Sequence, residues 1–352
     1  MLNCDILVVG AGPAGSSAAS EAAKYGAKVL LIEKKRIIGE PVQCAEFISK
    51  LIFCEVEISR DSVVQEIRGM RTHLPNGEYV ESCSPGYMLN RSMFDKELAM
   101  KAAENGVEVR INTLCSSKKG EKILINENGK KELIIPKVII GADGPKSTVG
   151  KWLNSLNRNF IIGMQHSVPL VPILDFTDVY FDKDFFGGYG WLFPKGKSAN
   201  VGIGIKYESI SKISKSLSNI LKKFVKTLEK GGKVKNSPFF TTSGLIPVGG
   251  PLKTVKNNIM LVGDAAGQTH PITGGGIAQA VICGKIAGKI AAQAIQKEDI
   301  EMLNEYENEW REIFGKWLER AQVKRQFLES NWNQLDKIIK KCWTVFKEYY
   351  YE

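Results

Sequence analysis

The fold of this chain is set by residues 5–33, DILVVGAGPAGSSAASEAAKYGAKVLLIE. An apolar run comes first, a glycine-rich turn and an alanine-rich segment follow, and a second apolar run closes the stretch. Uninterrupted apolar runs are typical of parallel strands that are buried on both faces. The stretch therefore predicts a strand, a tight turn, a helix and a second strand, which together form the first unit of a parallel α/β sheet.

The turn contains three glycines in the spacing GxGxxG. In that spacing Gly10 permits the turn, Gly12 lets a pyrophosphate approach the main chain, and Gly15 lets the helix pack on the strand. Glu33 ends the second strand, where a carboxylate can accept hydrogen bonds from a ribose. The pattern predicts a site for FAD or NAD, because a carboxylate disfavours the 2′-phosphate of NADP.

Two further glycine motifs follow apolar runs that predict buried strands. GADGPKS (141–147) contains Asp143 and Gly144, and GDAAGQTHPITGGGI (263–277) contains Asp264. We expect the Asp264 carboxylate to accept a bond from a ribityl hydroxyl. The glycines that follow should open a helix whose N-terminus favours an anion, and a reduced flavin carries negative charge. The three motifs together therefore favour FAD.

The order of these elements predicts an α/β fold (α+β overall) in which a Rossmann-like FAD-binding domain is interrupted. Residues 1–154 and 255–297 would form the FAD-binding domain. Residues 155–254 would form an antiparallel β-sheet substrate domain. Residues 298–352 have helical periodicity rich in Trp and Tyr, and they predict a C-terminal helical cap.

The 352 residues include 48 basic and 38 acidic side chains, which gives a net charge of +10. The excess is concentrated at 206–235, which holds nine lysines and two glutamates. Apolar residues from Ile210 to Leu228 recur there at helical spacing, so we expect an amphipathic helix with a lysine face. This face is either a solvated cover over a sheet or a patch for anionic lipid or an acidic protein. Nucleic acid is not expected, because arginines and aromatic residues are not interleaved with the lysines.

The sequence also bears on metals and location. Seven cysteines and three histidines are scattered without the spacing of a metal site, so no metal is expected. No apolar run is long enough to span a bilayer, and the first residues lack the cationic start and cleavage site of a secretory signal. We expect a cytoplasmic protein, able to lie peripherally on the cytoplasmic face of the membrane.

The three glycine motifs, in this order, resemble those of FAD-dependent oxidoreductases of the p-hydroxybenzoate hydroxylase type. Three more segments narrow the resemblance to the geranylgeranyl reductase family, which includes archaeal digeranylgeranylglycerophospholipid reductases. They are GEPVQCAEFIS (39–49), GGYGWLFPKG (187–196) and ANVGIG (199–204). Two positions depart from that family's pattern, since Phe47 replaces a glycine and His270 replaces an asparagine.

The resemblance implies FAD as the cofactor and a prenyl lipid as the substrate, with electrons from NAD(P)H or reduced ferredoxin. It places Cys44 beside the flavin. The side chains that it implies along a prenyl tunnel are Tyr189, Trp191, Phe193 and Pro194. The FAD contacts expected from the motifs and the resemblance together are Gly10, Gly12, Ala14, Gly15, Glu33, Cys44, Ala45, Arg91, Cys115, Asp143, Gly144, Asp264, Gly275, Gly276 and Ile277. At position 115 only the main chain is expected to contact the adenine.

The implied reaction is the reduction of isolated C=C bonds in a geranylgeranyl chain, either of a lipid or of the diphosphate. Such an alkene has no carbonyl to accept charge, so we hypothesise that a proton adds to it while reduced FAD donates hydride. Cys44 is the candidate proton source, since a free thiol is mostly protonated at neutral pH. The aromatic rings would stabilise developing positive charge. A purely structural role is the alternative for Cys44 and for the aromatic residues.

Two other functions are compatible with the same motifs. A flavin-dependent monooxygenase or halogenase would have the same FAD site, although YGWLFPKG lacks the WxWxI motif of halogenases. A non-catalytic flavin-carrying electron-transfer or membrane-surface protein would use residues 206–235 for docking. An oxygen adduct of the flavin would indicate the first, and FAD binding without turnover of any prenyl compound would indicate the second.

Overall fold

The computed structural model describes residues 4–50, 55, 59–212 and 216–351. Its strands are β1 (Ile6–Val9), β2 (Val29–Ile32), β3 (Phe47–Ser49), β4 (Val63–Ile67), β5 (Gly69–His73), β6 (Tyr79–Ser82), β7 (Gly86–Leu89), β8 (Glu108–Arg110), β9 (Thr113–Lys119), β10 (Lys122–Glu127), β11 (Lys130–Ile134), β12 (Val138–Gly141), β13 (Phe160–Pro169), β14 (Phe176–Tyr180), β15 (Gly190–Lys195), β16 (Ser198–Lys206), β17 (Phe240–Pro247), β18 (Val255–Lys256) and β19 (Ile259–Leu261). Its helices are α1 (Pro13–Lys24), α2 (Arg91–Glu104), α3 (Thr148–Leu153), α4 (Leu217–Lys230), α5 (Ile277–Gln296), α6 (Leu303–Ser330) and α7 (Leu335–Cys342).

A six-stranded sheet has the order β18-β19-β12-β1-β2-β8. Neighbouring strands in it run parallel except β18, which pairs antiparallel with β19. Strands β1, β2 and β12 are buried along their whole length, as their uninterrupted apolar sequences predict. Since β19, β12 and β1 are adjacent and parallel, the three glycine motifs that follow them meet at one edge of the sheet.

Helices α1 and α5 share one apolar core with this sheet and approach each other closely. A Cβ added at Gly284 would lie 2.3 Å from the carbonyl oxygen of Ala14, and one at Gly288 would lie 2.2 Å from that of Ala18. Any side chain at either glycine would force the two helices apart. The contact joins the first glycine motif, which opens α1, to the third, which precedes α5.

A seven-stranded sheet has the order β17-β13-β16-β15-β14-β5-β6. Its pairs are antiparallel except β14 with β5, which is parallel. Strands β5 and β6 precede residue 155, so this sheet is wider than the domain predicted at 155–254. Strand β6 is an edge strand whose residues are mostly exposed, and its sequence therefore lacks the apolar signal of a core strand.

Two layers cover the seven-stranded sheet. On one face, Leu192 and Val201 pack with Phe224 and other apolar residues of α4. On the opposite face, Trp191 and Phe193 share an apolar cluster with residues of α6, α7 and the segment that follows α7. The C-terminal region thus covers the face that bears the aromatic residues of GGYGWLFPKG (187–196).

The basic helix differs from the prediction at its N-terminal end. Residues Tyr207–Lys212 form a 3-10 helix, residues 213–215 lie outside the described part, and α4 begins at Leu217. The hydroxyl of Ser216 accepts a hydrogen bond from the main-chain N–H of Asn219, 3.3 Å away, and so caps a new helix there.

The structure confirms the predicted fold class, with a parallel sheet, a separate and largely antiparallel sheet, and a helical C-terminal region. Within the described part of the chain, no helix is both long and apolar enough to cross a membrane.

Candidate functional site

The first glycine motif forms a tight turn in which each glycine has a different surrounding. A Cβ at Gly10 would lie 2.4 Å from the carbonyl oxygen of Ala142, and one at Gly15 would lie 1.8 Å from that of Gly10. A Cβ at Gly12 would have no atom within 4 Å. Gly10 and Gly15 are therefore required by packing, whereas Gly12 leaves open space in front of the main chain at the start of α1. Such space at a helix N-terminus suits a pyrophosphate.

In the second motif the side chain of Asp143 bonds to its own loop and to the first turn of α3. Its carboxylate accepts hydrogen bonds from the main-chain N–H groups of Thr148, at 2.6 Å, and Val149, at 3.2 Å, and from the hydroxyl of Ser147. Asp143 therefore pairs the first main-chain N–H groups of α3 and fixes the loop. Gly144 has a φ of +81°, and a Cβ there would have no atom within 4 Å. The open side of this motif is thus its main chain at Gly144.

The third motif places a carboxylate and a helix N-terminus together. Asp264 is partly buried, and its Oδ1 accepts a hydrogen bond from the hydroxyl of Thr269 over 2.7 Å. Burial raises the pKa of Asp264, although Thr269 and the nearby Arg91 oppose the shift. Gly276 is the N-cap of the 20-residue α5, and a Cβ on it would lie 3.6 Å from Asp264 Oδ1. The carboxylate and the positive end of the helix dipole therefore lie side by side.

Glu33 lies beside the first motif, as the sequence predicts for an acid at the end of β2. Its carboxylate accepts hydrogen bonds from the main-chain N–H of Ala11, at 2.9 Å, and of Lys35, at 3.0 Å. Glu33 and Gly12 line the same cleft. The acid therefore braces the glycine turn and also lines the cleft, where a ribose would lie.

Arg91, at the start of α2, lines this cleft together with Cys44. Its guanidinium donates to the carboxylate of Asp95 over 2.8 Å and 3.2 Å. Burial opposes the positive charge, but Asp95 and the neighbouring Cys44 outweigh it and raise the pKa of Arg91. A cation is thus fixed near the turn where a pyrophosphate would bind.

These features fit FAD on the chemistry of the residues present. The open main chain at Gly12 and Gly144 and the half-buried cation of Arg91 suit the pyrophosphate. Carboxylates at Glu33 and Asp264 suit the ribose and ribityl hydroxyls.

The other expected cofactor contacts have clear positions. Ala14 packs its Cβ against Gly263, at the start of the third motif. The side chain of Cys115 is buried in the core beside the parallel sheet, and burial with the nearby Asp143 raises its pKa to about 12. A thiol so buried fits the expectation that only the main chain acts at this position. Ile277 packs in a different cluster, with residues of α2 and β7.

The Cys44 loop is held by hydrogen bonds from the seven-stranded sheet. The thiol sulfur accepts a bond from the main-chain N–H of Glu46, 3.2 Å away. The carbonyl of Cys44 accepts from the side-chain amide of Gln165 at 3.0 Å, and the carbonyl of Ala45 accepts from Asn200 at 3.3 Å. The loop therefore has a defined position between the FAD-binding region and the sheet.

Glu46 is a buried residue at the centre of this loop that the sequence analysis missed. Only 3% of it is exposed. Its carboxylate accepts bonds from Lys195 Nζ at 2.6 Å, Asn200 Nδ2 at 2.8 Å and the main-chain N–H of Arg91 at 3.0 Å. Its φ of +72° lies in the left-handed region, which is uncommon for a residue other than glycine. The position in GEPVQCAEFIS was visible, but partners 149 and 154 residues away could not be matched from one sequence.

Gln165 connects the Cys44 loop to Trp191 of the segment GGYGWLFPKG (187–196). Its Nε2 donates to the Cys44 carbonyl, and its Oε1 accepts from the indole N–H of Trp191 at 3.2 Å. The indole lies over glycines of the neighbouring strands, since a Cβ at Gly202 would lie 2.2 Å from its Cζ2. Trp191 is thus both fixed by a hydrogen bond and given room by glycine.

Tyr189 and Phe193 extend the same aromatic surface. The hydroxyl of Tyr189 donates to the carbonyl of Thr273 over 2.5 Å, next to the glycines of the third motif. The ring of Phe193 packs edge-on against Phe47, with 5.9 Å between ring centroids. Pro194 does not belong to this surface. It pairs with Ala199, which packs on the α4 face. The structure therefore places Pro194 on the opposite face of the sheet from Trp191 and Phe193, contrary to the contact that we expected along the tunnel.

The two departures from the family pattern are accommodated by their neighbours. A Cβ at Gly86 would lie 2.4 Å from the Phe47 ring, so the ring occupies space that this glycine leaves. His270 is fully buried, and its Nδ1 accepts from the main-chain N–H of Thr273 at 3.2 Å. Burial lowers the pKa of His270 to about 3. Its Nε2 lies 3.4 Å from the hydroxyl of Tyr349, which ties the third motif to the C-terminal segment.

Three family models match the chain. One described as geranylgeranyl reductase catalytic domain matches residues 173–239, one described as FAD dependent oxidoreductase matches 5–43, and one described as lycopene cyclase protein matches 216–346.

Several proteins are similar along most of the chain. A digeranylgeranylglycerophospholipid reductase from Methanococcus vannielii is 37% identical, over 95% of this chain and 89% of its own length. One from Methanosarcina acetivorans is 39% identical, over 95% of this chain and 87% of its own. The solved structure of a geranylgeranyl bacteriochlorophyll reductase-like protein from Thermoplasma acidophilum has a TM-score of 0.87 at 33% identity, covering 98% of this chain and 93% of that one.

Proposed function

The chain belongs to the digeranylgeranylglycerophospholipid reductase family, and on this premise we propose that it reduces isolated C=C bonds in the geranylgeranyl chains of archaeal-type lipids. FAD is its cofactor. The observation that supports the proposal most is Gln165, whose amide holds both the Cys44 carbonyl and the Trp191 indole. A loop at the FAD cleft and an aromatic surface suited to a prenyl chain are thereby fixed next to each other.

The residues that would hold FAD are those of the three glycine motifs, with the main chain at Gly12 and Gly144, the carboxylates of Glu33 and Asp264, and the cation of Arg91. When bound and reduced, FAD supplies the hydride equivalent for the reduction. The N-terminus of α5 adds a positive dipole that stabilises an anion at the third motif. These groups bind and orient, and they do not themselves exchange protons with the substrate.

Cys44 would supply the proton. Its sulfur accepts a bond from the Glu46 N–H, and the residue lines the same cleft as Arg91. A thiol that its loop fixes beside the cofactor cleft is positioned to act as a general acid. Glu46 keeps the loop in place through Lys195 and acts as a positioning residue.

Tyr189, Trp191 and Phe193 would line the prenyl site. They lie on the face of the sheet that the C-terminal region covers, and the surrounding cluster is apolar. Such a surface excludes water and offers the electron-rich faces of aromatic rings to developing positive charge. Trp191→Ala should slow the reduction of long prenyl chains more than it lowers the melting temperature, and a collapse of the melting temperature would instead make Trp191 a core residue.

The test is anaerobic mixing of the photoreduced holoenzyme with lipid that has geranylgeranyl chains. We expect the reduced flavin to be reoxidised, seen as return of its visible absorbance, and we expect no change with the fully saturated lipid. Cys44→Ser should slow this step while leaving FAD content unchanged. Equal rates with the unsaturated and saturated lipids would overturn the proposal, and equal rates for the parent and Cys44→Ser would remove Cys44 from proton transfer.

We propose that the partners are an electron donor, either NAD(P)H or reduced ferredoxin, and the anionic surface of the membrane at its cytoplasmic face. The membrane contact is supported by the exposed lysines of α4, while its apolar side is buried on the sheet. Lys223 is partly neutralised by Asp184, 2.8 Å away. Anaerobic reduction of the bound flavin by each donor in turn distinguishes the donors, and binding to anionic vesicles that falls with added salt tests the surface.

A further inference from the structure

We propose that one end of the seven-stranded sheet inserts into the hydrocarbon boundary of a lipid bilayer, an inference that rests on the proposed function. We call it the sheet-end surface and define it by five exposed apolar residues, namely Val64 (41% exposed), Val171 (54%), Ile173 (95%), Phe239 (66%) and Phe240 (41%). Large apolar side chains that are exposed together are uncommon on a monomer, and they mark interaction sites.

Main-chain hydrogen bonds place these residues at one end of the sheet. The N–H of Val171 donates to the carbonyl of Lys233 at 3.0 Å, and that of Phe239 donates to the carbonyl of Ser167 at 3.1 Å. Phe240 pairs with Ser167, near the end of β13. The strands that begin or end here are β13, β14, β15, β16 and β17, so their loops form one continuous edge.

The β15–β16 hairpin completes this edge. The N–H of Leu170 donates to the carbonyl of Lys197 at 3.0 Å. A Cβ at Gly196 would lie 3.8 Å from Val64 Cγ1, which places Val64 beside the hairpin. The apolar residues of the sheet-end surface therefore lie on neighbouring loops and strand ends, not in distant parts of the molecule.

Basic residues surround the apolar ones. Lys197 and Lys235 are exposed, Lys233 is half-buried, and the side chain of Arg68 is 75% exposed. Acidic partners are also present, since Asp175 lies 2.9 Å from Arg68 and Asp178 lies 2.9 Å from Lys233. Apolar tips ringed by cations match the interface of an anionic bilayer, where apolar groups enter the acyl region and cations meet headgroups.

A second copy of the chain fits this surface less well. A two-fold contact would place the same surface on both partners, so Lys197 and Lys235 would face the like charges of the other copy. A bilayer with anionic headgroups meets both the apolar and the cationic groups favourably. Charge complementarity therefore selects the membrane.

The sheet-end surface is also connected to the candidate active site. Lys195, the last residue of β15, donates to the buried carboxylate of Glu46 at 2.6 Å, and Glu46 holds the loop of Cys44. Lys195 thus joins the turn of the β15–β16 hairpin, which lies next to Leu170, to the loop that contains Cys44. Insertion at this end would bring lipid-borne prenyl chains close to that loop.

The test measures vesicle binding without any turnover. The FAD-loaded protein is sedimented with vesicles of phosphatidylglycerol and phosphatidylcholine at low and at high salt. We expect binding that salt reduces but does not abolish, because apolar insertion is not screened. In Ile173→Glu/Phe239→Glu the salt-resistant part should fall at least about tenfold, as expected when two apolar anchors are replaced by charges. The control is Met100→Glu on α2, which changes an apolar residue nearly as exposed as Phe239 (59% against 66%) but away from this surface, and this variant should bind as the parent does.

Other outcomes overturn the proposal. Equal salt-resistant binding by the parent and the double variant would show that the sheet-end surface does not insert. A dimer of the parent that the double variant converts to monomer in size-exclusion chromatography would make the surface an interface between copies. Reoxidation of the reduced flavin by detergent-dispersed geranylgeranyl lipid is measured separately in the parent and in the double variant. The two proteins should react equally. A parent protein that does not react at all would count against the proposed function, not against this surface.

Discussion

The glycines of the first motif differ in what a single added methyl group would meet, and this difference leads to a prediction. A Cβ at Gly12 has no neighbour within 4 Å, and the φ of Gly12 is −78°, which alanine adopts freely. Gly12→Ala should therefore leave the melting temperature of the apoprotein unchanged while it weakens FAD binding at least about tenfold, since the methyl group occupies the space for the pyrophosphate. The measurements are thermal unfolding of the apoprotein and FAD titration.

Gly15→Ala is the matched comparison. Its Cβ would lie 1.8 Å from the Gly10 carbonyl oxygen, so the turn must open. We expect Gly15→Ala to destabilise the apoprotein by about 1–3 kcal/mol. Equal stability loss in both variants, or unchanged FAD affinity in Gly12→Ala, would show that the open space at Gly12 is not a ligand site.

His270 gives a prediction about pH. Burial lowers its pKa from 6.5 to about 3. Between these two values the unfolded chain binds one more proton than the folded protein, so the free energy of unfolding rises with pH and falls as the pH is lowered through this window. The expected slope is about 1.4 kcal/mol per pH unit.

His270→Asn removes this titration and can still accept from the Thr273 N–H. Lowering the pH from 7 to 5 should therefore reduce the free energy of unfolding of the parent by about 2 kcal/mol more than that of the variant. Denaturant titration at each pH measures the change. A difference that does not change with pH would show that His270 is not held neutral by burial.

At the scale of elements, the approach of α1 to α5 is limited by glycine. A Cβ at Gly288 would lie 2.2 Å from the Ala18 carbonyl oxygen, which is main chain and cannot rotate away. Gly288→Ala should lower the free energy of unfolding by about 1–3 kcal/mol, despite the better helix propensity of alanine. Denaturant unfolding measures the change.

Gly315→Ala on α6 is the control for this prediction. Its Cβ would lie 3.3 Å from the Cβ of Arg311, one turn earlier on the same helix, so a shift of only a few tenths of an ångström relieves the contact. The control should be as stable as the parent or more stable, by up to about 1 kcal/mol. If both alanine variants gain stability, α1 and α5 are not packed as tightly as described.

The elements that the sequence predicts best are those with local signals. The strand, turn and helix of residues 5–33 were predicted from apolar runs and glycine spacing. The 3-10 helix at Tyr207–Lys212 was mistaken for the start of α4, because its apolar residues continue the helical period. Strands β5 and β6 are not predicted as parts of the large sheet, because neither GMRTH nor YVES contains an apolar run and β6 is an exposed edge strand.

At the scale of the whole molecule, the sequence predicted the FAD site and the family, but not how the two halves of the site are joined. Gln165 and Glu46 make that connection through partners more than a hundred residues away. Nothing local distinguishes a glutamine within β13 from any other polar residue. The position of Pro194 on the α4 face also depends on tertiary packing that one sequence does not contain.

The most direct test of the account is mass spectrometry of geranylgeranyl lipid after incubation with the dithionite-reduced holoenzyme under anaerobic conditions. Each reduced C=C bond adds one hydride and one proton, so the account predicts products heavier by multiples of two daltons. Gly12→Ala should form far less of these products at limiting FAD. Unchanged lipid in the presence of fully reduced, FAD-loaded parent protein, or a product that gains oxygen when air is admitted, would contradict the account.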